Sequence, residues 1–282
     1  HGVSPKSALS PDVFHAQLRY INKNFDCYWL TEVPDLIKRS SFRRPPLILT
    51  FDDGLRNHSE YVIPLLDKYK IKATFFLVSN LLEEGKKFLW NHEMRCILML
   101  LKNEDLPNEI IKPFSNNKRQ RWQDVKVFVE DIKNKSNTYR IELLKKLRAL
   151  MPTPRYEGWM LEKFELMSKE DVQSLPEIIE IGSHTLTHPI LSQMNDIQAE
   201  EEITQSCQRL QKLVGKNIDT FCYPNGELLS RDVDLVKKVY RVAVSTEEGV
   251  VDKNTPRDNL FVLKRIPAAK ALRHNWRHAK VS

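Results

Sequence analysis

Short apolar runs alternate along this chain with longer stretches whose apolar residues recur at helical spacing. Residues 47–51 (LILTF) follow Pro45-Pro46 and stop at Asp52-Asp53-Gly54, which reads as a buried strand with two carboxylates at its C-terminal end. Residues 73–78 (ATFFLV), 178–183 (IIEIGS), 220–223 (TFCY), 241–246 (RVAVST) and 260–266 (LFVLKRI) add five more predicted strands. The clearest helix covers about 196–214, with Ile197, Ile203, Leu210, Leu213 and Val214 near helical spacing and Gly215 as its C-cap. Strands alternating with helices predict a parallel α/β sheet or barrel, where chemistry gathers at the C-terminal ends of the strands.

Residues 83–165 break this rhythm: stretches such as 98–101 and 141–150 are helical in pattern and none reads as a strand. They are expected to form a helical insertion within a single domain spanning 1–282. The insertion is rich in Lys and Arg (Lys118, Arg119, Arg121, Lys133, Lys145, Arg148), and its Trp90, Trp122, Tyr156 and Trp159 are either core aromatics or a platform for substrate. It leaves the chain directly after one predicted strand and returns before the next, so it should pack beside the mouth of the barrel.

Of the 282 residues, 41% are apolar and 29% charged, enough to bury a sizeable core in a folded protein. No apolar run approaches the length of a membrane span. The four cysteines have no C-x-x-C spacing, so neither a cysteine zinc site nor a disulfide framework is expected. A formal net charge of +7 suits an anionic polymer, a membrane surface or nucleic acid equally, and no recognised nucleic-acid module accompanies it. The chain opens at His1 with neither Met nor a signal-peptide pattern, which is expected of a portion of a longer protein and leaves the compartment unread.

Adjacent acids on a loop are usually only solvated, and a lone H-x-x-x-H pair is as often two surface histidines. Here Asp52-Asp53 ends one predicted strand, and Ser183-His184-Thr185-Leu186-Thr187-His188 ends another. The i, i+4 spacing can point both imidazoles to one side of a helical turn. Two imidazoles and one carboxylate form the ligand set of a catalytic zinc site with a position left open for water.

Thr50-Phe51-Asp52-Asp53-Gly54, Ser183-His184-Thr185-Leu186-Thr187-His188 and Tyr223-Pro224-Asn225-Gly226 resemble, in order, the first three motifs of the polysaccharide deacetylase family, the NodB homology domain. The resemblance covers most of 47–267 outside the insertion. It implies a distorted (β/α) barrel, commonly of seven strands; six are visible, and the seventh is expected ahead of His1. Carried over by motif, Asp53, His184 and His188 are the implied ligands of a divalent metal, zinc first and Co2+, Ni2+ or Mn2+ as alternatives. Asp52 is the implied general base, and the backbone N–H of Asn225 the donor to the tetrahedral oxyanion. Tyr223 and Pro224 of the third motif, with Trp90 from the insertion, are the expected substrate contacts.

The chain departs from the family pattern twice. The position where many members carry an arginine that orients the base is Cys222 here, and Arg265 in Lys264-Arg265-Ile266-Pro267 is expected to replace it through a charge-assisted bond to Asp52. The late leucine-histidine motif that often supplies the general acid is also missing, since His274 and His278 lie in a basic tail. His1-Gly2-Val3 resembles the end of a first strand carrying a tyrosine-histidine pair in the exopolysaccharide branch, so His1 is the candidate acid, with His58 and His92 behind it.

The resemblance implies metal-dependent removal of N-acetyl groups from N-acetylhexosamine units of a bacterial surface or secreted polysaccharide, with the glycan open to being anionic or membrane-linked. A lipid-linked sugar deformylase, or another C–N hydrolase on the same fold, is the alternative within the enzyme class. A degenerate barrel that binds glycan without cleaving it is the alternative outside it. The intact Asp52, Asp53, His184 and His188 favour an enzyme, because a binding module needs no metal set plus a free carboxylate.

Overall fold

The computed structural model describes residues 10–82, 86–107, 110, 114–252 and 254–268. Its strands are β1 (Asp26–Tyr28), β2 (Pro46–Ile48), β3 (Thr50–Phe51), β4 (Ala73–Leu77), β5 (Ile179–Ser183), β6 (Thr220–Cys222), β7 (Val242–Glu248) and β8 (Leu263–Arg265). The helices are α1 (Pro11–Asn24), α2 (Val33–Leu36), α3 (Ile63–Tyr69), α4 (Trp90–Leu100), α5 (Lys118–Lys133), α6 (Asn137–Leu150), α7 (Gly158–Phe164), α8 (Lys169–Gln173), α9 (Asp196–Val214) and α10 (Ser230–Val239).

Strands β3 to β8 form one parallel sheet in chain order, and β1 pairs in parallel with β2. Only Leu49 separates β2 from β3, and its carbonyl accepts the Thr74 N–H at 2.9 Å, so β2 and β3 are one extended run along β4. β1 therefore flanks this run as a further parallel strand, while the seventh strand expected ahead of His1 lies outside the described residues. Three residues, Asp-Cys-Tyr, are too short and too polar to register as a strand. The sheet curls into a half-barrel: Arg265 on β8 reaches Thr50 on β3 at 3.2 Å, although the two strands stand at opposite edges of the six-stranded sheet.

The period-2 alternation of side chains decides what lines each face. Phe75, Leu77, Phe221, Tyr223 and Ala243 turn outward into the main core, against Leu18 of α1, Leu66 of α3, Ile203 and Leu210 of α9 and Val236 of α10. Their neighbours Phe76, Cys222, Val242, Val244 and Leu263 turn inward and fill the barrel with Leu30 and Val33. Buried on both faces, β4 is apolar apart from Thr74. Gly182 faces inward, where a Cβ would stand 2.6 Å from the Phe76 ring. At the N-terminal floor, Glu180 accepts hydrogen bonds from the Thr31 hydroxyl and, at 2.6 Å, from the Thr74 hydroxyl.

Helix α9 ends where Gly215 adopts a left-handed φ of 66°, as the sequence predicts, but Ile197 in its first turn is 71% exposed. The predicted strand 260–266 is shorter, because a 3-10 turn (Arg257–Phe261) takes up its beginning. Between β4 and β5 stand α4 to α8, with no strand among the described residues. Met94, Ile97, Val125, Val129, Leu143 and Leu147 give α4, α5 and α6 a core of their own. Leu166 N–H donates to the Lys87 carbonyl at 2.9 Å, which ties the two ends of this helical segment together.

Candidate active site

The C-terminal ends of β3 and β5 open into loops of unusual backbone. Asp53 (φ 73°) and Gly54 (φ 70°) after β3, and Thr185 (φ 70°) and His188 (φ 60°) after β5, all lie in the left-handed region. His184 and His188 thus do not share a helical turn, as their spacing suggested; the loop folds back and brings their ring centroids to 4.8 Å. Left-handed non-glycine residues cost about 1–2 kcal/mol each, so neighbouring contacts must hold them. Thr185 Oγ1 accepts the His188 N–H at 3.1 Å, Ser79 N–H donates to the Thr185 carbonyl at 3.1 Å, and the Trp90 indole N–H donates to the His188 carbonyl at 3.0 Å.

Asp53 Oδ1 lies 3.6 Å from His184 Nε2 and 3.4 Å from His188 Nε2. His184 Nδ1–H donates to the Cys222 carbonyl at 2.7 Å, a bond that selects the tautomer with its Nε2 lone pair facing Asp53. Burial holds both imidazoles neutral: it lowers His184, helped by His188, and takes His188 down to about 4, helped by Lys133. Burial, only partly offset by His184, pushes the Asp53 carboxyl up to about 6. Two neutral imidazoles and a carboxylate reluctant to ionise alone, with one ligand atom from each within 4.8 Å of the others, are a donor set that fits a divalent cation. Asp52, His184 and Cys222 also converge. That set fits less well, because burial raises the Cys222 thiol far above its ordinary value and keeps it protonated.

Asp52, at the inward end of β3, is gripped by Arg265 with two bonds, 2.7 Å to Oδ1 and 2.9 Å to Oδ2. The guanidinium is fixed in turn by the Ser245 carbonyl at 2.9 Å and by Cys222 Sγ at 3.3 Å. Burial works to raise Asp52, but the Arg265 pair outweighs it and leaves the carboxyl below its ordinary range. A carboxylate held ionised, aimed and free of the Asp53 cluster can accept a proton.

The other residues singled out by sequence divide sharply. Asn225 follows buried Pro224 in a 3-10 turn with a left-handed φ of 57°. Tyr223 has no accessible surface; the alternation that turns Cys222 inward turns its ring outward onto Phe221. Trp90 spends its indole N–H on His188, under the Arg140 guanidinium. Trp122 is buried against Phe164. His58 lies under the sheet, edge-on to the stacked rings of Phe51 and Phe75, and burial lowers it to about 4. His92 is buried on Phe164 within the helical segment. His1, His274 and His278 lie outside the described residues. The pattern missed Thr185, Ser245 and Glu202; of these only Glu202, an acid on the apolar stripe of a helix, leaves a trace readable in sequence.

Two histidines and a carboxylate at the ends of parallel strands, beside a second carboxylate locked by arginine, define a candidate centre for metal-assisted hydrolysis. The polysaccharide deacetylase family model matches residues 39–113 and 158–243, and the chain belongs to that family. No curated protein matches it. Among solved structures it is similar to the Streptococcus pyogenes deacetylase PplD in complex with acetate, at TM-score 0.60 and 16% identity over 96% of this chain and 92% of that one. It is also similar to IcaB from Ammonifex degensii, at TM-score 0.57 and 16% identity over 95% and 88%. The BpsB deacetylase domain from Bordetella bronchiseptica gives TM-score 0.57 and 14% identity over 94% and 86%. At these identities the likeness establishes the fold.

Proposed function

We propose that this protein is a metal-dependent N-deacetylase that releases acetate from N-acetylhexosamine units of a bacterial surface or secreted polysaccharide. The observation that carries the reading is the convergence of Asp53, His184 and His188 beside an Asp52 clamped by Arg265. Asp53, His184 and His188 would hold the cation, zinc first, whose Lewis acidity acidifies water and polarises the acetyl carbonyl. Asp52 takes the proton from the attacking water, and Arg265 keeps it ionised and aimed. The backbone N–H of Asn225 donates to the oxygen that becomes negative in the tetrahedral state, a type of contact worth about 3 kcal/mol. The leaving nitrogen needs a proton, for which His1 remains the candidate. The helical segment 83–165 shapes the glycan side of the mouth. Titres of bound metal and of released acetate, on acetylated glucosamine oligomers, test the assignment. His184→Ala is expected to lose the metal with the barrel still folded, and Asp52→Asn to keep it while losing roughly 10²–10⁴-fold in turnover. Full metal occupancy in the first variant, or near-native turnover in the second, contradicts it.

A further inference from the structure

Helix α9 buries an acidic residue on its apolar face. Glu202 is 6% exposed and shares that face with Ala199, Ile203, Ser206 and Leu210. Its carboxylate turns to the histidine loop: Oε2 accepts the backbone N–H of Leu186 at 2.8 Å and of Thr187 at 2.9 Å, and Oε1 accepts the Thr187 hydroxyl at 2.5 Å. We propose that Glu202 is a positioning residue for the candidate metal centre, its carboxylate serving as the template on which the loop between His184 and His188 folds.

Two successive N–H groups can share one oxygen only if the backbone between them curves around it, and that curvature fixes the turn at residues 185–187. One turn further along α9, Ser206 bonds Ser183 at 2.8 Å, so the helix grips the chain on both sides of His184. With the middle of the loop held, left-handed Thr185 and His188 at its ends direct both imidazoles to Asp53. Were Glu202 merely a satisfied core acid, its bonds would fall anywhere along the loop and its loss would affect stability alone.

This inference rests on the metal-dependent reading, so the experiment separates the two. In the full chain, zinc affinity is measured by competition with a chromophoric chelator, and the apo proteins are crystallised. Glu202→Ala is expected to bind zinc roughly ten- to hundred-fold more weakly, the range set by lost outer-shell partners of metal ligands. Glu202→Gln should stay near native, because an amide oxygen still accepts both N–H groups and the Thr187 hydroxyl can turn to accept from the amide. A folded Glu202→Ala protein with native zinc affinity overturns the proposal. Should the native chain bind no zinc, the metal reading fails, and the ring separation decides for Glu202. Histidine rings moved apart in Glu202→Ala then support the template, and rings still 4.8 Å apart overturn it. Should Glu202→Ala not fold, Thr187→Val, which removes only the hydroxyl contact, must weaken zinc several-fold; unchanged affinity in that variant overturns the proposal.

Discussion

Arg265 stands where three strands meet at one charge. It comes from β8, bonds Asp52 at the end of β3, and lies 3.3 Å from the Cys222 sulfur on β6, so the small cysteine leaves the space the guanidinium fills. Arg265→Met is expected to strand the Asp52 carboxylate and raise its pKa, which moves the acid limb of the kcat/KM profile to higher pH. Paired with Arg265→Ala, Cys222→Arg supplies a guanidinium from β6 and should recover more turnover than either change alone; a double variant no better than Arg265→Ala would show that the base needs its arginine from β8. The aspartate and histidine pairs were legible because their chemistry sits in the side chains and the strand ends were plain. The direction of those side chains was not. Left-handed Thr185 and His188 are held not only by the bond between them but by Ser79 and Trp90, about a hundred positions away, and the four-residue histidine spacing suggested a helix that those distant contacts override.

Among the elements, the six apolar runs appear as strands because buried parallel strands need little more than apolar residues and a breaker. The edges were harder to read. Strand β1 is defined by pairing with β2, not by its own composition, and the start of the last predicted strand yields to a 3-10 turn ended at Val262. The floor of the barrel was also invisible in sequence, since it depends on Thr31, Thr74 and Glu180 meeting from three separate segments. Burial raises the Glu180 carboxyl, and the hydrogen bonds from Thr31 and Thr74 only partly oppose it. A folded-state pKa above the unfolded value of about 4.3 gives stability that is full below that value and is lost as pH rises through the folded one. Glu180→Gln removes this dependence. Its unfolding free energy relative to the native protein should shift in favour of the variant between about pH 4 and neutrality, measured by urea unfolding; parallel profiles would mean that Glu180 titrates alike folded and unfolded.

For the whole molecule, the helical segment between β4 and β5 touches the candidate site where it bonds the chain at and just beyond His188. Much of its positive charge is spent internally: Lys118 pairs with Glu157 at 2.6 Å, Arg148 with Glu93 at 2.5 Å, and Arg121 bonds the Leu98 carbonyl. Arg140, almost fully buried, bonds the Gln193 amide oxygen at 2.6 Å, and the Gln193 amide N–H donates to the Lys133 carbonyl at 2.7 Å, which braces the chain just beyond His188. Lys133 and Arg140 fall within the stretch that the family model leaves unmatched, so residues outside the family pattern support its histidine loop. The Lys87–Leu166 bond means that a short linker can replace residues 88–165 without stretching the barrel. In that excised protein, zinc affinity and turnover are both expected to fall, even on acetylated oligomers too short to span a groove. Trp90→Phe, which keeps the ring but loses the N–H bond to His188, should reproduce a several-fold part of the loss in zinc affinity. An excised protein that stays folded, binds zinc as tightly as the native chain and slows only on long glycans would assign the segment to substrate reach alone, since the braces that Trp90, Lys133 and Arg140 give the chain around His188 would then be dispensable.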